Sequence, residues 1–164
     1  MKAALIVVDV QNEYFQSAGG AFPQWQADET AEKIAGRIRQ AEAGGWLVVG
    51  VRHFMPDGAP MFQRGTNGVE NHASVAALLA DKPEIQKAHA DSFLNTDLAS
   101  LLAKHSITDL FVCGIMTQNC VTHTAISPQA SAYTVNVFAD CCTAPSELVH
   151  VIALDALKDR VAVI

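Results

Sequence analysis

Residues 109–121 read Asp109-Leu110-Phe111-Val112-Cys113-Gly114-Ile115-Met116-Thr117-Gln118-Asn119-Cys120-Val121. The first five make a short apolar run of strand character, and Cys120 stands at the start of a helical pattern, so the stretch reads as one strand-to-helix unit. The same alternation runs along the whole chain, with no linker, repeat or low-complexity segment to interrupt it. Such alternation is the signature of βαβ units wound into a parallel sheet, an α/β fold. Strands are expected at residues 3–9, 46–52, 84–88, 109–113, 133–139 and 160–164. Helices are expected at 28–43, 73–80, 96–104, from about Cys120, and at 146–157, with Asp28 and Thr96 as N-caps and Gly44-Gly45 as a stop. Pro128 falls inside the helix that starts near Cys120 and should kink or end it. Residues 53–71 hold Pro56, Gly58, Pro60, Gly65 and Gly68 and show little periodicity, the mark of a long excursion of the kind that shapes binding sites.

A chain of 164 residues is expected to form one domain over 1–164, burying roughly 70% of its unfolded surface. Half of the residues are hydrophobic and 17% are charged, which excludes a disordered or fibrous chain and suits strands buried on both faces. The net charge of −6 is spread along the sequence, and no basic patch is present to neutralise phosphates, so no nucleic-acid partner is expected. Only six uncharged residues, Ala3 to Val8, precede Asp9, too few for a signal peptide or a membrane span; a cytoplasmic protein is expected. The four cysteines, at 113, 120, 141 and 142, form neither a CxxC pair nor a disulfide framework, and reduced thiols are expected.

In open parallel sheets ligands sit at the carboxyl ends of strands near a topological switch point. Asp9, Arg52-His53, Lys87, Cys120 and Asp140 all fall at or just past expected strand ends. A cysteine at a helix start is favoured as thiolate by N–H groups and the macrodipole, which lowers its pKa from about 8.5. The same N–H groups can hold an oxyanion, although a buried, inert cysteine is an equally ordinary occupant of such a position. Asp9, leaving an apolar strand, needs a partner, and Lys87 in Ile85-Gln86-Lys87-Ala88 is the natural one. Their pairing can be a structural salt bridge, or it can serve the thiol, with one group to take its proton and one to stabilise thiolate. Asp140 most simply caps the turn after its strand.

Three ordered segments, Ala4-Leu5-Ile6-Val7-Val8-Asp9-Val10-Gln11-Asn12, Lys87 shortly before Ser92-Phe93, and Gly114-Ile115-Met116-Thr117-Gln118-Asn119-Cys120-Val121, carry a resemblance to the isochorismatase-like cysteine hydrolases over nearly the whole chain. That family includes nicotinamidases and N-carbamoylsarcosine amidohydrolase. The resemblance implies a three-layer α/β/α sandwich with a six-stranded, mostly parallel, Rossmann-like sheet and a catalytic triad of Asp9, Lys87 and Cys120. It also implies a cis peptide bond between Ile115 and Met116, with an oxyanion hole made by the Met116 and Cys120 N–H groups. The activity implied is C–N bond hydrolysis of a small amide, ureide or N-carbamoyl compound through a thioester, with no organic cofactor.

By the same resemblance Gln11, Phe15 and Thr117 line the pocket, and the protein is a homo-oligomer. Phe15 can equally be plain core. Arg52 can hold an acidic group of the substrate or simply sit solvated at a strand end, and His53 lines the pocket mouth. Some relatives bind a metal through an Asp-x-His pattern; here Val51 stands at the Asp position and Ala59, Pro60 and Met61 where another histidine would be, so no metal is expected. A non-catalytic small-molecule binder or thiol sensor of the same fold is the alternative function, one that would need no general base beside Cys120.

Overall fold

The computed structural model describes residues 1–164. Six strands, β1 Ala3–Val8, β2 Leu47–His53, β3 Glu84–Lys87, β4 Asp109–Ile115, β5 Thr134–Thr143 and β6 Ala162–Val163, form one sheet in the order β3-β2-β1-β4-β5-β6. Every strand pair in it is parallel. The order reverses between β1 and β4, so the switch point opens between their carboxyl ends. The helices are α1 Ala27–Ala43, α2 Ala73–Leu79, α3 Leu98–Lys104, α4 Thr122–Ala125 and α5 Glu147–Leu157. None of them is long and apolar enough to cross a membrane.

The three layers follow from the period of two along buried strands. In β1 all six residues are buried, but Leu5 and Val7 face one core while Ala4, Ile6 and Val8 face the other. The first core takes Ala31, Ile34, Ala35 and Ile38 from α1 with Val75 and Leu79 from α2. The second takes Leu98 and Leu102 from α3, Ala125 from α4 and Leu157 from α5. Removing apolar area from water at about 25 cal/mol per Å² on both faces is what holds so hydrophobic a sheet together.

Element ends depart from the sequence reading where side chains override pattern. Helix α1 begins at Ala27 behind Gln26 in the left-handed region (φ 47°), not behind Asp28, which lies in its first turn. The Thr96 hydroxyl accepts the Leu98 N–H at 3.3 Å, but α3 begins at Leu98 with Asp97, not Thr96, at its N-cap. Ser146 caps α5 by accepting from the Val149 N–H at 3.3 Å. Pro128 opens a short 3-10 helix, Pro128–Ala132, after α4 has ended at Ala125. Strand β5 runs four residues past the expected Ala139, because its register against β4 shifts between Val112 and Gly114. Asp140 therefore lies within a strand, exposed and 3.6 Å from Arg37, and caps no turn.

The approach of β1 to β4 is set by Gly114, the register partner of Val8. Its φ is +126°, and a Cβ there would lie 2.0 Å from the Val8 carbonyl oxygen. Only glycine fits. Gly114→Ala is expected to yield no cooperatively folded protein, whereas Gly36→Ala in α1, where a Cβ meets nothing within 4 Å, is expected to gain about 0.5–1 kcal/mol. Urea denaturation followed by circular dichroism measures both; a folded, unchanged Gly114→Ala would contradict the close-approach argument.

Candidate active site

Sheet register brings the polar strand ends together. Asp9 follows β1 with φ 51°, and its N–H donates to the Val51 carbonyl at 3.0 Å. His53 and Lys87 are register partners at the ends of β2 and β3. Along β3 Ile85 and Lys87 point inward while Glu84 and Gln86 are exposed, so the strand period alone commits the lysine to the interior. Beyond β4 the Ile115–Met116 peptide bond is cis, and Thr117–Val121 form a π-helical turn that leads into α4. In that turn the Asn119 and Val121 N–H groups both donate to the Met116 carbonyl, at 3.0 and 3.2 Å. Cys120 lies on it, 1% exposed.

The three side chains meet. Lys87 Nζ is 2.7 Å from Asp9 Oδ2, with both side chains wholly inaccessible, and it donates to Cys120 Sγ at 3.3 Å. It also donates to the His89 carbonyl at 2.9 Å and lies 3.0 Å from His53 Nδ1. His53 Nδ1 is 3.8 Å from Asp9 Oδ2 and 4.0 Å from Cys120 Sγ. Asp9 Oδ1 is buried without a hydrogen-bond partner.

Electrostatics correct one expectation. Burial, and then the Asp9 carboxylate, push the Cys120 thiol well above the usual cysteine range, and the Lys87 ammonium only partly opposes them. The thiol is not depressed, because a four-residue α4 behind a π turn supplies a short dipole against full desolvation. Burial would lower the Lys87 ammonium, yet Asp9 and then Cys120 outweigh it and hold the pKa above the ordinary lysine value. Both shifts favour a charged lysine beside a protonated thiol.

Several residues read as pocket-lining are committed elsewhere. The Gln11 amide donates to the His53 and Val69 carbonyls, each at 2.9 Å, and accepts the His53 N–H at 2.9 Å, so it holds the end of β2 to the excursion. Phe15 is fully buried and stacked on His72 with ring centroids 3.9 Å apart, a core residue. The Thr117 hydroxyl is 2.8 Å from His150 Nδ1. Arg52 forks onto Glu84 at 2.8 and 3.0 Å and reaches Glu70 at 3.2 Å, leaving no donor pair for an acidic substrate. His53 does border the cluster, its ring stacked on Phe62 at 5.5 Å.

Two neighbours escaped the sequence reading. Tyr14 is buried edge-to-face against Phe62 at 5.2 Å, and burial, then the Asp9 charge, push its phenol far up, so it stays a neutral hydroxyl. Glu13 accepts the Ala21 N–H at 3.1 Å and the Phe62 N–H at 3.4 Å, pinning the excursion against the turn after Asp9. Both lie at or next to a 3-10 turn, Asn12–Tyr14, which carries no periodic signal; their closeness in sequence to Asp9 was the only clue.

Metal-ligating atoms of Asp9, His53 and Cys120 lie within 4.8 Å of one another. The group does not fit a metal ion, because the Lys87 ammonium already contacts all three and would repel a cation. Val51, at the position of an Asp-x-His ligand, is an apolar residue of the core.

Comparison with known proteins gives a consistent answer. The family model described as "Isochorismatase domain" matches residues 3–164. The "Uncharacterized isochorismatase family protein YddQ" of Bacillus subtilis is 31% identical, covering 96% of this chain and 92% of its own. A streptothricin hydrolase of Streptomyces noursei is 36% identical over 74% of this chain and 42% of its own length. The crystal structure of a pyrazinamidase of Pyrococcus horikoshii in complex with zinc superposes with a TM-score of 0.87 at 28% identity, covering 100% of this chain and 99% of that one.

Removing Lys87 leaves a buried carboxylate without its cation. Lys87→Met is expected to lose about 3–5 kcal/mol of unfolding free energy, and adding Asp9→Asn, which tolerates the left-handed backbone, is expected to restore part of it. Urea titrations of the two variants decide; equal losses in both would show that Asp9 and Lys87 are not energetically paired.

Proposed function

The chain belongs to the isochorismatase family, and within that family we propose that it is a cysteine hydrolase of a C–N bond in a small amide, ureide or N-carbamoyl compound. The observation that carries the reading is the Lys87 ammonium, buried and within reach of both Asp9 Oδ2, at 2.7 Å, and Cys120 Sγ, at 3.3 Å. A structural cysteine needs neither a buried base nor a buried cation beside it. An oxidant sensor needs no general base beside its thiol, whereas the Asp9 carboxylate stands in one buried cluster with Cys120.

In the proposed reaction Asp9 takes the proton of the Cys120 thiol as sulfur attacks the substrate carbonyl, so the high thiol pKa is met by proton transfer in the same step. Lys87 offsets the negative charge on thiolate and carboxylate in turn. The tetrahedral oxyanion is held by the N–H groups of Met116 and Cys120. Met116 supports this role because its N–H finds no acceptor within the chain. Protonated Asp9 then gives its proton to the departing nitrogen, releasing ammonia or an amine and leaving a thioester. Asp9 next removes a proton from water, the hydroxide adds to the thioester, and Cys120 leaves and recovers its proton. The product is the carboxylic acid, or a carbamic acid that loses carbon dioxide.

No step uses a metal or an organic cofactor. Homo-oligomerisation remains part of the proposal, and the exposed Leu148, Val151 and Ile152 on α5 are apolar residues such an interface would use.

Incubation of the purified protein with a panel of small amides, ureides and N-carbamoyl compounds, read by ammonia release, tests the reading. Release is expected from the wild type, lost in Cys120→Ala and reduced about 10²–10⁴-fold in Asp9→Asn. Release that survives in Cys120→Ala, or none from any compound, would overturn it.

A further inference from the structure

The Lys87 ammonium has four close neighbours: Asp9 Oδ2 at 2.7 Å, the His89 carbonyl at 2.9 Å, His53 Nδ1 at 3.0 Å and Cys120 Sγ at 3.3 Å. An ammonium has three N–H donors and no acceptor, so none of these neighbours can donate to it, and an N–H on His53 Nδ1 at 3.0 Å would point at the ammonium's own hydrogens. His53 Nδ1 therefore carries no proton, and the neutral ring holds its proton on Nε2. That Nε2 is buried and has no hydrogen-bond partner. Burial of an unpaired N–H is uncommon in folded proteins and calls for an explanation.

The ring is not free to seek a partner within the chain. Gln11 holds both backbone polar groups of His53, accepting its N–H and donating to its carbonyl, each at 2.9 Å. Phe62 stacks on one ring face. The imidazole is thus fixed beside Cys120 Sγ, 4.0 Å from its Nδ1, with its one proton directed away from Lys87.

We propose that His53 is a specificity-determining residue whose Nε2–H donates to a second acceptor on the substrate, an uncharged oxygen or nitrogen in the acyl part beyond the carbonyl that Cys120 attacks. The acceptor is uncharged because nothing nearby would compensate an anion: Lys87 is saturated by its four neighbours and Arg52 is taken by Glu70 and Glu84. The Asp9 carboxylate, 3.8 Å from His53 Nδ1, opposes an anion further. The substrate class is thereby narrowed to amides and ureides with a second carbonyl or equivalent acceptor. The inference rests on Cys120 being the nucleophile of a hydrolase.

Matched amides test it: 2-oxopropanamide against 2-methylpropanamide, and 3-oxobutanamide against 3-methylbutanamide, which place a carbonyl or a methyl-bearing carbon at two distances from the amide. For the wild type, kcat/KM is expected to favour the keto member of at least one pair by about tenfold to a hundredfold. His53→Asn keeps an acceptor for Lys87 at the Nδ1 position but loses the outer donor, and is expected to abolish that preference, the ratio of the two kcat/KM values falling to about one whatever the change in absolute rate. His53→Gln restores a donor near the Nε2 position and is expected to restore the preference. Binding of the same compounds to Cys120→Ala, read as thermal shift, gives a measure independent of turnover.

Hydrolysis of both members at equal rates would overturn the inference and leave the hydrolase reading intact, as would a preference unchanged in His53→Asn. Equal loss of both substrates in His53→Asn would show that His53 acts only through Lys87, again against the inference. Binding with a His53-dependent keto preference but no turnover would overturn the hydrolase reading and keep the recognition. Neither binding nor turnover of any member would overturn both.

Discussion

The close approach of β1 to β4 at Gly114 decides where everything else in the site can stand. With no Cβ between the Gly114 backbone and the Val8 carbonyl, the two strands end side by side, and Asp9 and the turn bearing Cys120 leave the sheet at the same edge. Both strands belong to the switch point of the sheet, where the helices that follow diverge to opposite faces. Chain topology supplies that edge, and one missing methyl group lets its two strands end side by side.

At that edge the fold buries a full positive charge. A buried ammonium is tolerated only when its donors are satisfied, and here the second strand pair meets the need: β3, in register with β2, carries Lys87 to Asp9, His53 and the His89 carbonyl. The arrangement costs desolvation energy that a purely structural core would avoid by using apolar residues. Its return, in the proposed reaction, is a base and a cation held in place before substrate arrives, with no solvent to reorganise.

The excursion between β2 and α2 serves the same edge. Glu13 pins it through the Phe62 N–H, Gln11 ties it through Val69 and His53, and Phe62 then stacks on the His53 ring. Residues that looked like ligand contacts in the sequence thus act one step back, as supports. Hydrogen bonds of this kind, made behind the groups that face a ligand, fix the orientation of those groups.

The sequence by itself determined the six strands, the parallel winding and the edge at which Asp9, Lys87 and Cys120 collect, because apolar runs with period two and helical runs with period 3.6 are local properties of the chain. It misplaced Asp140, read as capping the turn after its strand, because β5 continues past it on a register shift. Tertiary structure alone decided what each polar group does. Gln11, Phe15, Arg52 and Thr117 have their partners on distant segments, so their hydrogen bonds and stacking cannot be read from spacing. The protonation of Cys120 belongs to the same class: a helix start predicts a lowered pKa, and only the depth of burial beside Asp9 reverses it. Charge states and hydrogen-bond partners are sums over everything within a few ångströms, and the sequence does not contain those distances.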